Sequence, residues 1–65
     1  MGGIGEKVKE ERLKKGLKQC ELAHEAGISN TYLSDVEVGR TIPSIKTLDK
    51  ISKALKVDMK VFLWY

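Results

Sequence analysis

The chain has 65 residues, 42% hydrophobic and 32% charged, with a formal net charge of +3. A chain of this size buries about 60% of its open-chain surface and leaves roughly 4,200 Å² exposed, which supports one small core and excludes a second domain, a doubly wound sheet, a barrel and nearly every enzyme scaffold. The single Cys20 excludes an internal disulfide, Cys20 and the lone His24 make no zinc ligand set, and the longest apolar stretch, residues 61–65, is too short to cross a bilayer.

The apolar spacing predicts five helices and no strand, because the repeats follow the helical period and no alternating run appears. The first helix runs over about 4–15 and offers Ile4, Val8 and Leu13 to the core. Gly16 stands where it would end. The second, about 19–26, offers Leu22, Ala23 and Ala26 and stops at Gly27. The third, about 30–38, offers Leu33 and Val36 and stops at Gly39. Pro43 cannot lie inside that helix and precedes the fourth, about 45–56, with Ile45, Leu48, Ile51 and Leu55 inward. A short fifth helix covers about 59–64. Glycine suits each stop because it takes the left-handed conformation without a Cβ clash.

The starts carry their own marks. Ser29, Ser44 and Asp58 each place a side-chain oxygen where orphan backbone N–H groups need an acceptor. Around them the staple spacing repeats: Ile28 with Leu33, Pro43 with Leu48, Val57 with Phe62, and Leu17 with Leu22 around Lys18. Lys18 has no acceptor, so only half a capping box remains there, through Glu21. The charge is uneven. Residues 6–15 carry net +2, residues 18–40 net −2 and residues 44–60 net +3. This mild basicity permits a nucleic-acid partner without demanding one.

Residues 19–38 are the informative stretch. A short helix ends at Gly27, a tight turn Gly27-Ile28-Ser29 follows, and a second helix begins. Ala23 lies where the two helices would cross, and a larger side chain would push them apart. Ile28, Leu33 and Val36 pin the second helix to the core. This is helix-turn-helix spacing. A generic helical hairpin explains the apolar residues equally well, but not the small residue, the turn glycine and the anchors falling together.

On these residues the chain resembles the phage-repressor and Cro-type helix-turn-helix regulators, the XRE family. The matching stretches are Gly16-Leu17-Lys18-Gln19, Glu21-Leu22-Ala23, Ala26-Gly27-Ile28-Ser29, Tyr32-Leu33-Ser34, Glu37-Val38-Gly39-Arg40, Pro43-Ser44 and Leu48-Asp49-Lys50-Ile51, spread from Ile4 to Phe62. The resemblance implies an all-α, five-helix, lambda-repressor-like domain over residues 1–65. It also implies that the third helix enters the DNA major groove and that the domain binds an operator as a homodimer. Carried over position by position, it gives Asn30, Thr31, Ser34 and Asp35 as base contacts. Asn can pair with adenine, Thr can touch a thymine methyl and Asp can accept from cytosine N4. It gives Gln19, Tyr32, Arg40, Ser44 and Lys46 as DNA-backbone contacts, and Arg12 with Glu37 as an ion pair between helices 1 and 3 that belongs to the scaffold.

Each assignment has a plainer counterpart. The polar residues of helix 3 also read as a solvated face, Asp35 as a group that orients a neighbour, and Arg40 and Lys46 as solvated charges. His24 reads as exposed. Cys20, near a helix N-terminus and Lys18, reads as inert filler or as a redox-sensitive thiol. Two departures from the family pattern stand out. Glu11 occupies a position that is often apolar, so helix 1 is expected to pack through Leu13. Helix 3 has no Lys or Arg and carries Asp35 and Glu37, and an acid near phosphates repels them. The surplus of Leu63, Trp64 and Tyr65 beyond Phe62 suggests an interface, and with Met59 it is the expected two-fold dimer contact.

The functional expectation is a sequence-specific transcriptional regulator, a repressor acting on double-stranded DNA, without cofactor, metal or small-molecule ligand and away from membranes. The alternative is the same fold used as a protein-interaction module, through helix 3 or the aromatic end. An enzyme is not expected, since no nucleophile–base pair, metal set or substrate pocket can be assembled. Met1 is followed by Gly-Gly and an amphipathic segment rather than a signal peptide, so the expected location is the cytoplasm, at the nucleoid of a prokaryote or phage-infected cell.

Overall fold

A computed structural model describes residues 3–63. The described residues form α1 (Ile4–Lys14), α2 (Gln19–Ala26), α3 (Asn30–Glu37), α4 (Ile45–Leu55) and α5 (Lys60–Leu63). The helix ends follow the glycines. Gly16, Gly27 and Gly39 have φ of 71°, 70° and 83°, and after each the chain closes a Schellman motif. At Gly27, for example, Ile28 N–H reaches back to Ala23 O at 3.0 Å while Gly27 N–H reaches His24 O at 3.2 Å. The fourth motif is different: α4 ends on Lys56, which takes the left-handed conformation at φ 58° without being glycine. Starts are capped as the sequence indicates. Ser29 Oγ accepts from Tyr32 N–H at 3.0 Å, Ser44 Oγ from Thr47 N–H at 3.2 Å and Asp58 Oδ1 from Lys60 N–H at 2.9 Å. The Asp58 cap serves a helix beginning at Lys60, one residue after the expected start.

The core is Val8, Leu22, Ala23, Ala26, Leu33, Leu48, Ile51, Leu55 and Phe62, with Ile4, Leu17, Ile28, Val57, Met59 and others packed around it. Each fully buried Leu, Ile or Phe contributes about 1.5–3 kcal/mol. α2 packs on α4 and α3, α1 lies across α3, and α5 closes against α1. The exposed surface is 4302 Å², close to the value expected for a globular chain of this mass. Among the described residues, no helix is long and apolar enough to cross a membrane.

Two expected core residues are outside. Leu13 is 58% exposed and Ile45 61% exposed. Leu13 fails because the inward places of α1 go to Glu11 and Arg12, which continue the Ile4–Val8 face at helical spacing, whereas Leu13 is five residues beyond Val8 and off that face. Glu11 can sit there because Lys7 and Lys14 reach its carboxylate at 3.5 and 3.4 Å. At the start of α4 the buried apolar residue is Pro43, two residues before Ile45, which as the first residue of the helix stays in solvent.

α1 crosses α3 through Gly5, a residue the periodicity did not single out. A Cβ there would run into the carbonyl oxygen of Val36, so the absence of a side chain sets how closely α1 approaches the end of α3.

Candidate nucleic-acid interface

α3 presents two sides. Leu33, Val36 and Glu37 are buried. On the opposite arc, at about 100° per residue, Thr31 is exposed and Ser34 and Asp35 are half-buried, while Asn30 stands exposed as the first residue of the helix. Tyr32 is half-buried beside this arc. Thr31, Ser34 and Asp35 therefore lie on the outward arc of α3, while Asn30 is exposed at its first position.

The two acids of α3 are both partnered. Glu37 lies at the C-terminal end with its side chain 2% exposed. Arg12 of α1 meets it with two hydrogen bonds, Nε to Oε2 at 2.8 Å and Nη2 to Oε1 at 3.1 Å. The same guanidinium donates through Nη1 to Leu17 O at 2.8 Å, and so grips the α1–α2 connection. Gln19, first residue of α2, adds a bond from Nε2 to Glu37 Oε1 at 3.2 Å. Asp35 lies 3.4 Å from Arg40 Nη1, an exposed pair in which the arginine side chain stays 78% in solvent. The charge of Glu37 is matched within the fold by Arg12, whereas Asp35 shares its exposed surface with Arg40.

The flanking groups follow from the caps. Lys18 gives α2 no side-chain cap, and the Glu21 carboxylate accepts from Lys18 N–H at 2.7 Å, which is the half capping box the sequence implies. The Ser44 hydroxyl is committed to Thr47, accepting from its N–H and donating to its Oγ1 at 3.1 Å. Lys46 and Arg40 are exposed. Cys20 and His24 are exposed on α2, on the wall of an open groove of about 650 Å³ facing the end of α4. On α1, the hydrogen bond from Lys7 to Glu10 holds the Glu10 carboxyl below its ordinary value and the Lys7 ammonium above its own.

Of the expected interface residues, Met59 is half-buried against the core and Leu63 is 49% exposed; Trp64 and Tyr65 lie outside the described residues. The sequence reading missed the Gln19–Glu37 bond. Nothing local signals it, because it joins residues 18 apart through the crossing of two helices. The close approach at Gly5 carried no local signal either, because it too depends on how α1 crosses α3.

Comparisons with known proteins agree with this geometry. The chain is 47% identical over 58 residues to the ImmF control region 10 kDa protein of Bacillus phage phi105, covering 89% of this chain and 64% of that one. It is 41% identical over 61 residues to the HTH-type transcriptional regulator SinR of Bacillus subtilis, covering 92% and 55%. The chain thus spans between about half and two thirds of the length of these relatives. The crystal structure of SinR, the master regulator for biofilm formation, in complex with DNA superposes with a TM-score of 0.88 at 39% identity, covering 92% of this chain and 97% of that one. The DNA-binding domain of the P22 c2 repressor gives 0.91 at 31% identity, covering 95% and 82%. A family model described as helix-turn-helix matches residues 8–62, nearly the whole described chain, and with the relatives of phage-control and repressor type it establishes that this protein belongs to the XRE-type helix-turn-helix family.

Proposed function

We infer that the chain is a sequence-specific DNA-binding transcriptional regulator, a repressor, that binds double-stranded DNA as a homodimer with α3 in the major groove. One observation carries the reading: α3 carries Thr31, Ser34 and Asp35 on the arc opposite its buried face and an exposed Asn30 at its first position, while Arg12 matches buried Glu37 and Arg40 stands 3.4 Å from Asp35. Those four side chains would read base edges. Gln19, Tyr32, Arg40 and Lys46, with the backbone at Ser44, would hold phosphates on either side, supported by the positive ends of α2 and α4. With Asp35 and Glu37 paired, α3 offers no open acidic face to a basic protein, and use as a protein-interaction module is not favoured. Met59, Leu63, Trp64 and Tyr65 would form the dimer contact, and the site of action would be the nucleoid.

The experiment is selection of binding sites from random duplex DNA, with the retained complexes sized. An inverted repeat with half-site centres about 34 Å apart, retained as a two-chain complex whose affinity falls steeply with salt, is the expected result. Failure to enrich any sequence at low salt, with the protein folded, would overturn the reading.

A further inference from the structure

We propose that Glu37 is a positioning residue for the DNA-backbone contact of Gln19, an inference that rests on the DNA-binding reading above. The buried carboxylate accepts three hydrogen bonds, two from Arg12 and one from the Gln19 amide. A carboxylate only accepts, so it fixes which end of the amide faces inward: the NH2 group, not the carbonyl. An amide nitrogen carries two N–H donors about 120° apart. With one bonded to Glu37, the second is turned away from the carboxylate and left for a phosphate oxygen.

The arrangement also settles a charge problem. A carboxylate this close to a backbone contact would repel the phosphate if it stood alone. Arg12 matches it in two-pronged geometry, so the cluster presents a donor to the DNA without a net negative charge behind it. The same cluster joins three elements: Arg12 on α1, Gln19 at the start of α2 and Glu37 at the end of α3. Arg12 holds the chain just before α2 through Leu17 O. The phosphate anchor and the base-reading helix are thereby held in one register. Gln19 touches the DNA; Glu37 acts only through it.

The test is a mutational cycle read as affinity for one fixed operator duplex at constant salt. Gln19→Ala should weaken binding about tenfold, the size of one charge-assisted hydrogen bond. The double variant Arg12→Met/Glu37→Met replaces the buried pair with apolar side chains, an exchange that buried ion pairs commonly tolerate. Adding Gln19→Ala to that background should cost nothing further. A Gln19→Ala penalty that persists at full size in the double variant would show Glu37 to be scaffold alone, and the proposal would fall. Should the double variant not fold, the side-chain amide signals of Gln19 in the unaltered protein decide. Two well-separated proton shifts are expected, one proton protected from exchange and the other moved by DNA; two equivalent, fast-exchanging protons overturn the proposal. The amide measurement without DNA reports the Glu37–Gln19 bond directly. A protein that shows the bond but binds no duplex therefore refutes the regulator reading, whereas a protein that binds DNA without the bond refutes only the role of Glu37.

Discussion

Gly5 inverts the usual expectation for a helix. In an exposed helix, replacing Gly by Ala gains about 1 kcal/mol. Here the new methyl would meet the Val36 carbonyl, a backbone atom that cannot swing aside, so α1 must lift from α3. Gly5→Ala should lower stability by about 2 kcal/mol, in the range of overpacked cores, and drop the melting temperature by about 10 °C for a domain of this size. Thermal unfolding followed by circular dichroism reads the sign directly, and a stabilised variant would mean the crossing is looser than the structure has it. Residue-level features divide by how they were legible. Arg12 and Glu37 could be paired from the family resemblance, because the motif fixes both positions. The tight approach at Gly5 and the Gln19–Glu37 bond could not, because each depends on how two helices cross rather than on neighbours in the chain.

At the level of elements, one short unit recurs. Gly16-Leu17-Lys18, Gly27-Ile28-Ser29 and Lys56-Val57-Asp58 each end one helix and begin the next. The first residue takes the left-handed conformation, the second is an apolar residue packed on the core, and the third is the N-cap position of the following helix. The apolar residue belongs both to the Schellman motif behind it and to the staple ahead of it, which lets a connection this short set the angle between two helices. Two of the three units carry one unsuitable residue. Lys56 bears a Cβ in a conformation that costs an L-residue about 1–2 kcal/mol, and glycine returns part of that in chain entropy. Lys56→Gly should therefore raise stability by roughly 0.5–1 kcal/mol, seen as a higher midpoint in urea with the slope unchanged. Lys18 gives α2 no acceptor. Lys18→Thr should add about 1 kcal/mol and raise the melting point, and an unchanged melting point would show that those N–H groups already have adequate partners. The helix limits were readable to within about a residue because these units are local chemistry. Leu13 and Ile45 were misplaced because counting apolar residues cannot see that Glu11 and Arg12, satisfied by Lys7, Lys14 and Glu37, take an inward face, or that Pro43 rather than Ile45 is the buried residue at the start of α4.

For the whole molecule, size argues for assembly. The fold measures 25 × 23 × 21 Å between Cα extremes, whereas successive major grooves on one face of DNA are about 34 Å apart. One chain cannot place recognition helices in both, and two chains related by a two-fold axis can. A contact that fixes this spacing must lie off the α3 face and must be the same patch on both copies. The end of α5 meets the first requirement: α5 packs chiefly against α1, and it leaves Leu63 half in solvent while Phe62, one residue earlier, is 1% exposed and closes the core. Removing residues 63–65 thus takes away the proposed interface while keeping Phe62, which closes the core. The truncated chain should keep its helical content and melt cooperatively, yet sediment as a monomer. Its affinity for a two-half-site operator should fall to that for a single half-site, because the second copy no longer arrives already tethered. A truncated chain that still sediments as a dimer would place the contact elsewhere, and the exposed Val38 and Ile42 beyond α3 would be the next residues to substitute.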